Sequence, residues 1–288
     1  MELYRINISS FKSDGGAMFG VVPKAIWTRF IQADERNLIP MMLRSLVIKS
    51  DDGRIILIDN GIGDKQDDDN LQFYHIEELD GLVTGLARHG IRREEVTDVI
   101  LTHLHFDHCG GGITYNWNRE PVAVFPEATY WTTERQWDNA VNPNPREADS
   151  YLPENLLPME DLGLLDFIQH AGPFCEGVEL RIVNGHTPGQ LVPVIRFRNK
   201  TLVFGADLIP THGHISVKYN MAYDLEVVRT MKEKQALLEE MAANNYILMF
   251  QHDMRYECCT IIKTEKETFR MGQAMTLEEF TAYTELPA

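Results

Sequence analysis

Three of the chain's ten histidines and one aspartate fall within six consecutive positions, directly after the apolar segment 99–101. If that segment is a strand, its side chains alternate with a period of two, and His103, His105 and Asp107 project to one side of its end. His108 joins them if the chain bends, and the glycines at 110–112 permit a bend. Imidazole and carboxylate ligands suit zinc, manganese or iron, so we expect a metal site here rather than a polar turn with chance histidines.

Three more candidate ligands each follow an apolar segment that is typical of a strand. His186 follows residues 178–183, Asp207 follows residues 201–204, and His252 follows residues 246–250. Each of them alone would be an ordinary loop residue. Together with the first cluster they supply five histidines and two aspartates, which is enough for two metal ions that each keep a position open for water or substrate.

The order H-x-H-x-D-H followed by separate His, Asp and His residues resembles the signature of the metallo-β-lactamase superfamily, over residues 44–252. The resemblance implies an α/β fold, the αββα four-layer sandwich, with two divalent metal ions. Zinc is the expected metal, with manganese, iron and cobalt as alternatives. It also implies one ion on His103, His105 and His186, a second ion on Asp107, His108 and His252, and Asp207 as the bridge between them.

One further acidic residue matches the family pattern without being an expected ligand. Asp59 ends the predicted strand 54–58. In the family this position supports the metal loop, and we expect the same supporting contact here.

The resemblance implies a hydrolase that uses a metal-bridging hydroxide, with Asp107 orienting the hydroxide and carrying a proton to the leaving group. His212 and His214 closely follow the expected bridging aspartate, and are candidates for substrate contact or proton transfer, although exposed loop histidines are the alternative interpretation. Homoserine lactonases commonly carry a tyrosine three residues after that aspartate. This sequence has Pro210 there, and Tyr219 or Tyr223 would have to take its place.

Residues 19–40 and 131–167 lack a clean period, which is typical of lids and binding loops, although ordinary surface packing is an equal alternative. They carry the candidate substrate contacts Phe19, Trp27 and Trp137. Three strings in these segments resemble the YtnP-like branch of quorum-quenching lactonases and methyl parathion hydrolase: 20–24, 34–37 and 144–147. In lactonases and organophosphate hydrolases of the superfamily, the corresponding segments wall the substrate site.

A lactone or a carboxylic ester is therefore the expected substrate class. Phosphotriester and thioester hydrolysis are the alternatives, the second because basic residues near the carboxyl terminus offer partners for a substrate carboxylate. A non-catalytic metal-binding protein is an alternative of another class. It is disfavoured because none of the seven ligand positions is missing from the sequence.

Composition narrows the partners. The net charge of −16 disfavours nucleic acid and anionic membrane surfaces, and a small-molecule substrate is expected. The start of the chain does not have the pattern of a signal peptide, and no apolar run reaches membrane-spanning length. Four cysteines without a C-x-x-C spacing indicate free thiols and a cytoplasmic protein. Cys109 could ligate a metal, but packing at a crowded turn is the favoured interpretation. The oligomeric state stays open.

The remaining pattern predicts alternating strands and helices in one domain, residues 1–288. We expect strands at 3–8, 43–48, 54–58, 99–101, in the 120s, and at 178–183, 190–197, 201–205 and 246–250. Residues 51–53 predict a hairpin turn, and residues 276–279 a capping box. Helices are expected at 77–89 and at 224–243, the second with Asp224 as its N-cap.

Overall fold

The computed structural model describes residues 1–65 and 73–283. Within these residues the strands form two seven-stranded sheets and one two-stranded hairpin. The first sheet has the order β4-β1-β2-β3-β5-β8-β9. Its strands are β1 (Glu2–Asp14), β2 (Leu38–Lys49), β3 (Ile55–Ile58), β4 (Glu77–Glu78), β5 (Asp98–Ile100), β8 (Thr129–Thr132) and β9 (Leu165–Phe167). The hairpin pairs β6 (Ile113–Tyr115) with β7 (Pro121–Ala123).

The centre of the first sheet is parallel: β3, β5, β8 and β9 run in one direction. Strands buried on both faces consist of continuous apolar runs, and β3 is accordingly apolar throughout, whereas β5 begins with a buried aspartate, Asp98. The predicted turn at 51–53 joins β2 to β3, which pair antiparallel from Lys49 and Ile55 onward. Because β3 and β5 are parallel neighbours, the residues after Ile58 and Ile100 emerge at the same edge of the sheet.

The second sheet has the order β10-β11-β12-β13-β14-β15-β16. Its strands are β10 (Gly172–Cys175), β11 (Val178–Val183), β12 (Gln190–Phe197), β13 (Lys200–Phe204), β14 (Ile247–Met249), β15 (Cys258–Lys263) and β16 (Phe269–Met275). Here β13 and β14 are the parallel pair, with Phe204 opposite Met249. The turns that follow these two strands therefore also leave the sheet at a common edge.

The chain folds into two compact units. The first unit comprises Met1–Phe11, Leu43–His170 and Pro188–Leu191, and the second comprises Lys12–Met42, Ala171–Thr187 and Val192–Ala288. The second unit has a core in which Leu238 and Met241 of the longest described helix pack with Val203, Leu248 and Phe250 of the sheet. The single-domain organisation over residues 1–288 stays a prediction.

The described helices are α1 (Gly15–Phe19), α2 (Lys24–Trp27), α3 (Leu82–Arg88), α4 (Phe106–Cys109), α5 (Glu134–Val141), α6 (Pro153–Asp161), α7 (Val227–Asn244) and α8 (Leu277–Tyr283). The helix predicted at 77–89 is wrong in its first turn. Glu77 pairs with Ser10 of β1 instead, and Gly81 takes a φ of +66°, so the helix begins only at Leu82. The predicted capping box is confirmed, since Thr276 and Glu279 each accept the other's backbone N–H.

The long helix α7 is confirmed, but its predicted N-cap is wrong. The N-cap is Glu226, and its side chain makes no capping hydrogen bond. Asp224 lies two residues earlier, is buried, and has a different partner, described below. None of the helices in the described ranges combines the length and apolar character that crossing a membrane requires.

Candidate metal centre

The first histidine cluster lies where the sequence predicts, directly beyond the end of β5. His103 lies three residues beyond the end of the strand, and His105 is the N-cap residue of the short helix α4. Asp107 and His108 lie within that helix. His103, His105 and His108 are buried, whereas Asp107 is partly exposed. The change from strand to helix thus brings together side chains that a straight strand would have kept apart.

The glycines at 110–112 contribute to this turn in a way that the sequence did not predict. None of the three has a positive φ. A Cβ on Gly110 would lie 1.9 Å from the carbonyl oxygen of Ile62, and a Cβ on Gly111 would lie 2.1 Å from that of Asn60. Glycine is required here because one backbone segment lies directly against another, not because of a left-handed bend.

Asp59 is hydrogen-bonded to the loop that carries the histidine cluster. Its carboxylate is fully buried and accepts three hydrogen bonds, from Thr102 N (2.7 Å), from Thr102 Oγ1 (2.7 Å) and from His108 Nδ1 (2.9 Å). Asp59 has a φ of +54°, an uncommon conformation for a residue other than glycine. Ala206, directly before Asp207, has a φ of +41°. A strained backbone conformation persists only where the surrounding structure holds it in place, and such residues often lie at functional sites.

In His103 and in His105, one ring nitrogen contacts an outer hydrogen-bond partner and the other faces the ring of the other histidine. The hydroxyl of Thr102 donates to Asp59, so it accepts a hydrogen bond from Nδ1 of His103 (3.2 Å). Nε2 of His105 donates to the carboxylate of Glu147 (3.2 Å). In neutral rings the other two nitrogens then carry lone pairs, and these two atoms lie 3.1 Å apart. Two facing lone pairs repel each other, and a shared cation removes the repulsion.

The second unit shows the same arrangement around Asp207. His186 donates Nδ1 to Asp224 Oδ1 (2.9 Å), and His252 donates Nδ1 to the carbonyl oxygen of Met42 (2.8 Å). Their Nε2 atoms face different oxygens of one carboxylate: Asp207 Oδ2 lies 3.3 Å from His186, and Asp207 Oδ1 lies 2.9 Å from His252. Each oxygen of this one carboxylate thus faces a different imidazole nitrogen.

Donor chemistry in the described residues therefore fits divalent metal ions. Metal-binding histidines generally donate their second nitrogen to a carboxylate or carbonyl group, which fixes the tautomer. His105, His108, His186 and His252 have such an outer partner, whereas His103 donates to the hydroxyl of Thr102. Each of the seven predicted ligands is among the described His and Asp side chains that could hold a metal ion.

Cys109 does not take part in the group of donors. Its thiol is fully buried and donates to the carbonyl oxygen of Leu104 (3.3 Å). Burial raises the pKa of this thiol above its ordinary range, so that the thiolate needed for metal binding is disfavoured. The packing interpretation of this residue agrees with these contacts.

His214 is buried, so the interpretation of it as an exposed loop histidine is wrong. Its Nε2 donates to the carbonyl oxygen of Met18 (2.7 Å), and its Nδ1 accepts from the hydroxyl of Thr211 (2.7 Å). Its ring stacks on Phe19 at 4.5 Å, and Phe19 stacks in turn on Trp27 at 5.4 Å. Burial lowers the pKa of His214 to about 4. Phe19 and Trp27 are also fully buried, and their observed contacts are packing contacts.

His212 has a different environment and is partly exposed. Asp253 accepts both its backbone N–H (2.7 Å) and its Nδ1 (2.5 Å). Burial raises the pKa of Asp253, but the hydrogen bond and charge of His212 outweigh this effect and lower it overall. The ring of His212 also lies edge-on to Phe30 (6.1 Å) and Tyr256 (4.9 Å). Nδ1 is thus committed to a carboxylate, as in histidines that exchange protons through Nε2.

The two candidate tyrosines differ in their surroundings. Tyr219 is partly buried and lies edge-on to Phe30 (5.8 Å), while its carbonyl oxygen accepts from the buried ammonium of Lys234 (2.7 Å). Burial lowers the pKa of Lys234 to about 7. Tyr223 is more exposed, and its hydroxyl lies 3.4 Å from the hydroxyl of Ser13. Trp137, on α5, is buried.

Sequence reasoning missed three carboxylates that hold histidines of the site: Glu147 for His105, Asp224 for His186, and Asp253 for His212. Each is buried and distant in sequence from its histidine. A carboxylate in a loop has no periodicity that reveals its partner, so only the folded chain identifies these pairs. The string 144–147 gave an indirect signal, because it stood out within an otherwise irregular segment.

Comparison with known proteins assigns the chain to a family. The sequence profile described as the metallo-β-lactamase superfamily matches residues 42–252. The chain belongs to this superfamily and has the metallo-β-lactamase fold, as the sequence predicts.

Individual relatives point the same way. An N-acyl homoserine lactonase of Bacillus cereus is 26% identical over 182 residues, which cover 62% of this chain and 65% of the lactonase. A probable metal-dependent hydrolase from Staphylococcus aureus superposes with a TM-score of 0.85 at 24% identity, covering 96% of this chain and 98% of that one. AidC, a dizinc quorum-quenching lactonase, gives a TM-score of 0.78 at 18% identity, covering 96% and 95%.

Proposed function

We propose that this protein is a binuclear metallohydrolase that opens lactones or cleaves carboxylic esters. The observation that carries the proposal is Asp207, whose two carboxylate oxygens face the Nε2 atoms of two different histidines. A site for a single ion does not require this arrangement. A site for two ions that share one carboxylate does.

We assign the seven donors to two ions in the order that the family pattern implies. His103, His105 and His186 would hold one ion. Asp107, His108 and His252 would hold the other, with Asp207 shared. Two divalent ions, when bound, supply a water molecule of lowered pKa and polarise the carbonyl oxygen of a substrate.

The protein's own groups would orient the substrate and move protons. The Oδ2 atom of Asp107 lies 3.5 Å from Nε2 of His108. Because Asp107 is partly exposed, it is the candidate metal ligand most accessible to a reacting water molecule. We assign to it the proton that passes to the leaving alkoxide. Asp253 holds His212 through Nδ1, and we assign to Nε2 of His212 the polar contact with the substrate that the absent tyrosine at Pro210 would otherwise make.

Lactones are the favoured substrate class for two reasons. One relative is an N-acyl homoserine lactonase, and the structural neighbour AidC was solved with the product N-hexanoyl-L-homoserine, whose acyl tail is apolar. In this chain Phe30 is 37% exposed and lies beside His212, so it offers an apolar contact next to a polar one. An ester ring with an acyl tail matches this combination.

The experiment compares kcat/KM of metal-quantified protein on N-acyl homoserine lactones of increasing acyl length, on aryl esters, on phosphotriesters and on thioesters. If the tail is buried, each methylene contributes up to about 0.8 kcal/mol, or up to about fourfold in kcat/KM, until the apolar surface ends. Faster turnover of a phosphotriester or a thioester by orders of magnitude, with no dependence on acyl length, would overturn the lactone assignment.

Metal content tests the binuclear assignment separately. Asp207→Ala should lose more metal than Asp59→Ala, because the first removes a shared ligand and the second removes only a hydrogen-bond acceptor. A wild-type protein that binds one ion at saturating metal would exclude two ions, and the hydrolase assignment would then stand without them.

A further inference from the structure

Glu147 lies in the segment 131–167, which the sequence predicts as a wall of the substrate site. We infer that Glu147 is instead a positioning residue for the metal ligand His105, holding its ring so that Nδ1 is the metal-binding nitrogen. The inference rests on the proposed function only in requiring that a metal binds at His103 and His105.

Glu147 is 4% exposed, and hydrogen-bond donors surround its carboxylate. Oε1 accepts from Nε2 of His105 (3.2 Å) and from the hydroxyl of Tyr151 (2.9 Å). Oε2 accepts from the side-chain amides of Asn139 (3.0 Å) and Asn144 (3.0 Å). Burying a carboxylate is costly unless it is hydrogen-bonded in this way, so the segment is built to keep a negative charge beside one imidazole.

Orientation of His105 follows from this arrangement. A carboxylate can only accept a hydrogen bond, so Nε2 of His105 carries the proton and Nδ1 carries the lone pair. Nδ1 lies 3.1 Å from Nε2 of His103, whose other nitrogen is bound by Thr102. The ring of Tyr151 packs on His105 at 5.0 Å and limits its rotation.

Local sequence explains why the carboxylate is held so firmly. Asn144 accepts the backbone N–H of Arg146 through Oδ1 (3.0 Å) and donates to Glu147 through Nδ2, which closes a tight turn over the string 144–147. The next support comes from α5, where Asn139 reaches both Glu147 and the hydroxyl of Tyr151 (3.1 Å). The segment therefore serves the metal through Glu147, whatever contacts it also makes with a substrate.

The test measures the affinity of each metal site by zinc titration against a competing chelator, for the wild type and three variants. Glu147→Gln removes the charged acceptor, and the site that contains His103 and His105 should weaken about 10- to 100-fold while the other site changes little. Tyr151→Phe removes a hydrogen bond from the same network but keeps the carboxylate, and should stay within about threefold of wild type. Glu160→Gln, on the exposed side of α6, is the matched control.

Cobalt absorption spectra give a second readout that general destabilisation does not reproduce. In Glu147→Gln the visible bands of the cobalt at His103 and His105 should shift, and in Tyr151→Phe they should not. Equal weakening of both sites in Glu147→Gln, unchanged zinc affinity, or an equal loss in Tyr151→Phe would each overturn the inference. If Glu147→Gln does not fold, the zinc affinity of Tyr151→Phe decides: a tenfold or larger loss at the site that contains His103 and His105 would overturn the inference. Wild type that binds zinc tightly but neither opens a lactone nor cleaves a carboxylic ester would refute the proposed function and leave this inference standing.

Discussion

Asp224→Asn is the substitution that tests the outer support of the metal centre most directly. The Asp224 carboxylate is 2% exposed and bridges two donors, accepting from His186 Nδ1 (2.9 Å) through Oδ1 and from the backbone N–H of Met221 (3.0 Å) through Oδ2. Asparagine is nearly the same size, so packing is retained. Its amide nitrogen cannot accept a hydrogen bond, so one of the two buried donors loses its partner.

The expected loss follows from these contacts. A hydrogen bond to a charged acceptor contributes about 1.5–3 kcal/mol, and each 1.4 kcal/mol corresponds to a tenfold change in an equilibrium constant. We therefore expect the ion bound by His186 to dissociate about 10- to 100-fold more readily, in line with substitutions of outer partners in other metal sites. At a fixed metal concentration well above Kd, the free energy of unfolding should fall by about 1.4–2.7 kcal/mol.

Two measurements check this prediction: zinc titration against a competing chelator, and chemical denaturation with and without zinc. Asp138→Asn, at an exposed position of α5, serves as the control. If Asp224→Asn lowers stability equally with and without zinc, Asp224 stabilises the loop alone. The reasoning about His186 would then be refuted.

Three further predictions concern stability and thiol chemistry. Burial lowers the pKa of His214 to about 4, so between pH 6.5 and pH 4 the unfolded chain takes up a proton that the folded chain does not. The free energy of unfolding of metal-free wild type should therefore fall over this pH range by up to about 3 kcal/mol more than that of His214→Gln. Urea unfolding of both proteins at several pH values measures this difference. Leu238→Ala empties a fully buried position of the second unit and should cost about 2–5 kcal/mol, whereas Leu162→Ala, 44% exposed, should cost much less in the same assay. A thiol reagent added to native protein should modify Cys175 first, because it is the half-buried member of four free cysteines whose other three are buried; rapid reaction of a second thiol in a folded sample would contradict this.

Strands were the most predictable part of the fold. The segments 178–183 and 190–197 coincide with β11 and β12, because both combine apolar runs with clear turn residues on either side. The error at 77–81 has a physical reason: Glu77 and Glu78 have helical propensity, but pairing with β1 overrides it. A short helical pattern is decided by such distant contacts, which one sequence cannot reveal.

The candidate site divides in the same way. His103, His105 and His108 could be recognised from the sequence because they lie within six positions of one another. The other candidate ligands could be recognised because each follows a predicted strand. The partners that orient these ligands are not visible, since Glu147 is 42 residues away from His105 and Asp224 is 38 residues away from His186. Their contribution depends on where two loops meet after folding.

For protein engineering, the glycines at 110–112 are positions where other residues are not expected to be tolerated. A side chain on Gly110 would overlap the carbonyl group of Ile62, and one on Gly63 would come within 2.3 Å of the carbonyl oxygen of Gly110. A combinatorial library that randomises this turn should therefore return glycine at these positions. Diversity intended to change substrate preference is better placed around Phe30, where the side chain is partly exposed and alternatives can be accommodated.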